Sequence, residues 1–151
     1  QSAVMELIEL VESLSEVKTE QEALRQEMEG AVLKFVAAIV LADGEYRDGE
    51  KDFIALFVDS KALPGGEYRY LNEYAAKWAE TATQVPNFFE AAVRYDSANK
   101  TGIARAIVRN IQLIGNNVCA SDGRCGALER DIVQQYVVLL ENAIERSTAE
   151  N

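Results

Sequence analysis

Two segments of the chain combine residue types and a spacing that can do chemistry, since each has a Glu seven residues after an Asp-Gly pair. They are Asp43-Gly44 with Glu50, and Asp122-Gly123 with Glu129. Carboxylate oxygens are the donors that hard divalent cations prefer, whereas Zn²⁺ favours cysteine and histidine. The pattern therefore predicts a divalent-cation site made by these four carboxylates, with Ca²⁺, Mg²⁺ or Mn²⁺ favoured over Zn²⁺.

The two segments belong to an internal repeat. The shift of 79 residues that carries Asp43 onto Asp122 also superimposes the pairs Glu50 and Glu129, Phe35 and Ile114, and Ile39 and Val118. In each copy the Asp falls where a helix ends, and there the negative end of the helix dipole disfavours an acid by about 0.3–1 kcal/mol. A bound cation would offset this unfavourable interaction between the Asp and the helix end. The repeat itself predicts two copies of one unit, each made of a helix, an acidic turn and a second helix.

The two copies differ in how many further oxygen donors they offer. Glu45 and Asp48 add carboxylates to the first turn, so both are additional candidate ligands, whereas the second turn continues without another acid until Glu129. Asn116 and Asn117 precede the second turn and can supply hydrogen bonds behind the ligands, although solvent-facing helix positions explain them equally well. Asp-Gly is also a common helix-ending turn, so an interpretation without metal remains open.

The amino-acid composition excludes some classes of function and favours others. The net charge is −10, from 25 acidic and 15 basic residues, which disfavours nucleic acid and favours cations or basic partners. Histidine is absent, and no nucleophile or phosphate-loop motif occurs, so we expect a protein that is not an enzyme.

Cys119 and Cys125 are close enough in sequence for a local disulfide, but the favoured interpretation is two small, reduced, buried side chains in a reducing cytoplasm.

Apolar residues at spacings of three and four predict an all-α protein, a compact bundle of about seven helices in one domain over residues 1–151. Residues 1–18 are predicted to form an amphipathic first helix with Val4, Leu7, Val11 and Leu14 on its apolar face, and residues 24–145 are predicted to form the repeated core. The second helix opens with a capping box at Thr19 and Glu22, and a third begins near Asp48. The later ones begin near Glu67, after Pro86, at about Ile103 and just before Leu128. The apolar stripe predicted for the last helix consists of Leu128, Ile132, Val133, Tyr136, Val137 and Leu140. No run reaches the roughly 18 apolar residues of a spanning helix, so membrane insertion is not expected and the predicted location is cytoplasmic.

The segments Leu41-Ala42-Asp43-Gly44-Glu45-Tyr46 and Ala120-Ser121-Asp122-Gly123-Arg124-Cys125, each with its following Glu, resemble the paired motifs of the TerB family linked to tellurite resistance. The resemblance implies a helical bundle with pseudo-twofold symmetry and metal binding through the four carboxylates. It further implies a binding or adaptor domain in a bacterial stress-response assembly, with a protein partner or a fused ATPase or co-chaperone domain. The start at Gln1 without Met and the polar end after Arg146 lead us to expect that the chain was cut from a longer protein. The alternative is a metal-independent protein-interaction domain.

Overall fold

A computed structural model describes residues 2–42, 67–120 and 125–150. Over these ranges the chain forms six helices and no strand, which confirms the all-α prediction. The helices are α1 (Ser2–Glu12), α2 (Lys18–Leu41), α3 (Glu67–Thr81), α4 (Asn87–Asn99), α5 (Ile103–Ala120) and α6 (Ala127–Glu150). The helix predicted to begin near Asp48 lies outside the described residues, so the count of about seven and the pseudo-twofold repeat stay predictions.

Helix α2 is the centre of the bundle, and each of the other five helices packs against it. Its second half carries six consecutive buried residues, from Phe35 to Val40. A helix that is apolar on all sides is typical of a core element covered by neighbours in several directions. The burial of this segment, together with the favourable Ala and Leu content of α2, explains why valines and isoleucine are tolerated in the helix.

Helix α1 covers one side of the bundle by packing against α5 and α2. Its predicted apolar stripe is confirmed at Val4, Leu7 and Val11, which are buried, whereas Leu14 lies beyond the end of the helix and is partly buried. The helix is shorter than the sequence pattern indicates, since it ends at Glu12 and the Ser13 hydroxyl donates a 2.6 Å hydrogen bond to the Leu10 carbonyl. The amphipathic first helix therefore covers its own domain.

The predicted capping box at Thr19 and Glu22 is wrong. The residue before α2 is Val17, which makes no side-chain capping bond. Ser15 organises the entry instead: its hydroxyl accepts the Val17 N–H at 3.1 Å and donates to the Glu20 carboxylate at 2.5 Å. Because this turn starts the helix earlier than expected, Thr19 lies inside the first turn and has no exposed amide to cap.

Helix α5 has a strong side-chain cap at its beginning. The Asp96 carboxylate, near the end of α4, accepts the N–H groups of Ile103 at 2.9 Å and Ala104 at 2.8 Å, and the Thr101 hydroxyl at 2.5 Å. Lys100 makes the turn between the helices with a left-handed backbone, φ 55°. The cap satisfies amides that the helix leaves unpaired, and it thereby sets the direction of α5.

The far half of α5 approaches α2 and α6 very closely at Gly115. A Cβ atom at this position would lie 2.9 Å from Phe35 Cζ and 2.9 Å from Val133 Cγ2. Phe35 in turn contacts Trp78 and Tyr136, with ring centroids 5.6 Å and 4.9 Å away. The bare backbone of Gly115 therefore lets three helices meet around an aromatic cluster.

The predicted apolar stripe of α6 needs one correction at its first turn. Leu128, expected on that stripe, is 64% exposed. The buried residues of α6 are instead spaced by four, three, one and three positions, which is one face of a helix. They are Glu129, Val133, Tyr136, Val137 and Leu140. An acidic residue thus occupies the first position of the core-facing stripe.

Among the described residues no helix is both long and apolar enough to cross a membrane.

Candidate functional site

Glu129 is the only acidic side chain that is buried among the residues described, with 7% of its surface exposed. It lies in the first turn of α6, where the helix dipole favours a negative charge. Removing a carboxylate from water costs free energy unless charged or hydrogen-bonding groups compensate. Its position on the core-facing stripe makes Glu129 the centre of the candidate site.

The neighbour of Glu129 across the helix junction is Cys119, one residue before the end of α5. Cys119 is buried, and its sulfur lies 3.6 Å from Glu129 Oε2. The side chains come from two different helices, α5 and α6, which pack against each other. Helix packing therefore brings a sulfur and a carboxylate together at one end of the bundle.

Cys119 and Cys125 are joined by a disulfide, with Cα atoms 4.9 Å apart. The expectation of two reduced cysteines is wrong. The physical reason is that α5 ends at Ala120 and α6 begins at Ala127, so the two cysteines stand at facing helix ends within the Cα separation that a disulfide requires. Sequence spacing alone permits this contact but does not require it.

Gly126 provides the room that the Glu129 carboxylate occupies. A Cβ atom on Gly126 would lie 3.3 Å from Glu129 Oε1. The Gly126 carbonyl accepts the Arg130 N–H at 3.0 Å, which starts α6. One carboxylate oxygen thus lies near the chain at Gly126 and the other near the Cys119 sulfur.

Glu129 is the one predicted ligand that falls within the described residues. The other five, listed here together, lie outside them: Asp43, Glu45, Asp48, Glu50 and Asp122. Whether the four carboxylates converge stays a prediction. Asn116 and Asn117 are both exposed on α5, and their role behind the ligands is likewise a prediction.

The contact between the cysteines and Glu129 is not among the predictions from sequence, in which the thiols and the acids are separate features. Two signals were available in the printed sequence. Glu129 precedes Val133 by four residues, which places it on the apolar face, and the two cysteines bracket the second Asp-Gly turn. Together these signals place sulfur and carboxylate at the same helix junction.

A second feature is a cleft of about 440 Å³ between α2, α3, α4 and α6. Trp78 and Tyr136 line it, with ring centroids 4.7 Å apart in an edge-to-face arrangement. Glu27 also lines it and accepts the Phe88 N–H at 2.5 Å, and Gly30 has no atom within 4 Å of an added Cβ. Burial raises the pKa of Tyr136 above its ordinary value of 10.0, so its hydroxyl keeps its proton in alkali that would ionise an exposed tyrosine.

Comparison of the chain with protein-family models, with curated proteins and with solved structures finds no match.

Proposed function

We propose that this chain is a non-enzymatic, TerB-like binding domain that coordinates a divalent cation at the two Asp-Gly turns. The ligands are Asp43, Glu50, Asp122 and Glu129, with Glu45 and Asp48 as further oxygen donors on the first turn. The cation is Ca²⁺, Mg²⁺ or Mn²⁺, because the donors are carboxylates. The observation that carries the proposal is the burial of Glu129 on the core-facing stripe of α6.

The burial of Glu129 supports a cation for an electrostatic reason. A glutamate used only to cap backbone amides or to keep a helix soluble can stay in water, where its charge costs nothing. Glu129 instead begins the stripe that continues with Val133 and Tyr136. A divalent cation at this end of the bundle adds to the contacts that already offset the desolvation of the carboxylate, and the chain's net charge of −10 attracts such ions.

The proposed biological role is that of an adaptor in a bacterial stress-response or ATPase-linked assembly. It is supported by the resemblance of the two turns to the TerB pattern and by the absence of histidine, which removes the commonest general base. In this role the bound cation holds the two turns together, and the surface around them contacts a protein partner or a fused ATPase or co-chaperone domain.

Calorimetric titration of the full chain with Ca²⁺, Mg²⁺ and Mn²⁺ tests the cation. We expect saturable binding that is weakened by Glu129→Gln and by the double variant Asp43→Asn, Asp122→Asn. The matched control is Asp131→Asn, which removes an exposed acid from the same helix. Binding that is absent at millimolar metal, or unchanged in the double variant, contradicts the proposal.

The cleft favours a second candidate function, a metal-independent protein-interaction domain. Its half-buried Trp78 ring and its polar rim are of the kind that bind a side chain of another protein. In Gly30→Leu the new side chain enters open space in the cleft, whereas Ala98→Leu changes an exposed position on α4. A partner that wild type retains in excess chelator, that Ala98→Leu also retains and that Gly30→Leu loses, supports this function over the cation-dependent one.

A further inference from the structure

We propose that reduction of the Cys119–Cys125 disulfide converts the junction of α5 and α6 into a zinc site, whose protein ligands are the two thiolates and the Glu129 carboxylate. This inference goes beyond the proposed function, since it needs neither Asp43 nor Asp122 and selects a different metal. The two sites share only Glu129.

The geometry of the three side chains fits a zinc ion. The sulfur atoms of Cys119 and Cys125 and a carboxylate oxygen of Glu129 all lie within 4.8 Å of one another. Zinc binds thiolate sulfur at about 2.3 Å and carboxylate oxygen at about 2.1 Å in a tetrahedral arrangement, which places sulfur and oxygen about 3.6 Å apart. Cys119 Sγ and Glu129 Oε2 are 3.6 Å apart. One edge of the coordination tetrahedron therefore already has its required length.

The donor set selects zinc over the hard cations. Thiolates are soft donors, which favour Zn²⁺ strongly over Ca²⁺ or Mg²⁺. Three protein ligands leave the fourth tetrahedral position for water, as in open zinc sites. Cys119 and Glu129 are buried, whereas Cys125 is half-buried. The water therefore approaches from the side of Cys125.

The disulfide and the zinc site exclude each other. Two thiolates bound to one zinc ion are about 3.8 Å apart, compared with about 2.0 Å between the sulfurs of a disulfide. A dithiol reductant transfers two electrons and two protons to the disulfide, which breaks the S–S bond, yields two thiols and leaves the reductant as its own disulfide. Zinc then displaces both thiol protons.

The protein frame holds two of the ligands in place in either redox state. Cys119 belongs to α5 and Glu129 to α6, and these helices are in close contact where Gly115 faces Val133. Cys125 precedes α6, so rotation of its side chain supplies the separation that the metal requires. The entropic cost of assembling the site is low because both helices are already ordered.

Zinc titration of the full chain in its oxidised and reduced forms tests the inference, with Co²⁺ as a spectroscopic probe of the same site. We expect one Zn²⁺ per reduced chain and binding weaker by at least ~100-fold in the oxidised chain, because two of three ligands are lost. Reduced protein with Co²⁺ should show the sulfur-to-cobalt charge-transfer band and the visible bands of a tetrahedral ion.

Three variants separate the ligands. Cys125→Ser, at the half-buried position, should abolish the charge-transfer intensity of one thiolate and most of the affinity. Glu129→Gln should retain the charge-transfer band and weaken binding by about 10-fold or more. Asp131→Asn is the matched control and should leave both unchanged.

Absence of zinc binding to the reduced chain, equal binding to the oxidised chain, or unchanged affinity in Glu129→Gln overturns the inference. The double variant Asp43→Asn, Asp122→Asn distinguishes the two proposals, since it should abolish binding of the hard cations and leave zinc binding of the reduced chain intact. Cys125→Ser should do the reverse. Either proposal can therefore fail without the other.

Discussion

The second half of α2 and the corresponding part of α5 occupy the same register of the predicted sequence repeat, yet they are buried differently. On α2 all six residues from Phe35 to Val40 are buried. On α5 the corresponding stretch from Ile114 to Cys119 is buried except at Asn116 and Asn117, which are exposed.

The difference follows from the place of each helix in the bundle. Helix α2 contacts all five of the other described helices and its second half is enclosed by them, whereas α5 packs mainly against α1, α2, α4 and α6 and keeps one face in solvent. Residue types agree with these positions, because Ala37 and Ala38 stand on α2 where asparagines stand on α5. Similar sequence patterns thus produce different burial when the number of neighbouring helices differs.

Exchanging alanine and asparagine between the two helices should have the largest effect on the free energy of unfolding. Ala37→Asn places an amide at a fully buried position, and we expect a loss of about 3 kcal/mol in the free energy of unfolding from overpacking and unsatisfied hydrogen bonds. The reverse change, Asn116→Ala, should alter stability by no more than about 0.5 kcal/mol. Urea denaturation measures both. Similar losses for the two variants would show that the helices are equally buried.

The glycines of the two helices provide a second contrast. Gly115→Ala should cost about 2 kcal/mol, because the added Cβ would lie 2.9 Å from both Phe35 and Val133. Gly30→Ala should stabilise the protein by about 0.5–1 kcal/mol, since it improves helix propensity in open space. Denaturation midpoints of the two variants should therefore move in opposite directions. A shift in the same direction would contradict the close approach at Gly115.

The beginnings of α2 and α5 differ as well, since only α5 has a side-chain cap from the residues described. Asp96→Ala removes the acceptor for Ile103, Ala104 and Thr101, and we expect a loss of about 1–2 kcal/mol. Thr19→Ala, on an exposed position of α2, should change stability by less than about 0.5 kcal/mol. Thermal unfolding monitored by circular dichroism gives both values, and a larger effect at Thr19 would restore the capping box that the structure lacks.

Removing the hydroxyl of Tyr136, which contacts Phe35 of α2, should have the smallest effect on stability, and that effect should be measurable only at alkaline pH. Its folded-state pKa lies above the ordinary value of 10.0, so above that pH the unfolded chain releases the phenol proton while the folded chain keeps it. Stability therefore falls as pH rises, by less than about 1 kcal/mol at pH 10.5 from this group. Tyr136→Phe should flatten that decline relative to wild type, whereas Tyr95→Phe on α4 serves as the control. An identical alkaline decline in Tyr136→Phe would contradict the assignment.

The sequence predicted one residue of the site, Glu129, but not the side chains that contact it. The repeat singled out Glu129, and the structure places that residue in the core-facing stripe of α6. The disulfide and the contact between Cys119 and Glu129 were not predicted, because they depend on how the ends of α5 and α6 face each other. The favoured interpretation of reduced cysteines also relied on an assumed compartment, which is information that the residues do not contain.

The sequence by itself determined the helices, since apolar spacing and helix-breaking residues are local properties that place α3 to α6 close to their observed bounds. The tertiary structure alone decided which residues meet across helices. Gly115 became a contact point and Asn116 a solvent-exposed residue, although they are neighbours in the chain. The reason is that a helix presents successive residues about 100° apart, so the positions of the neighbouring helices decide which of them is buried.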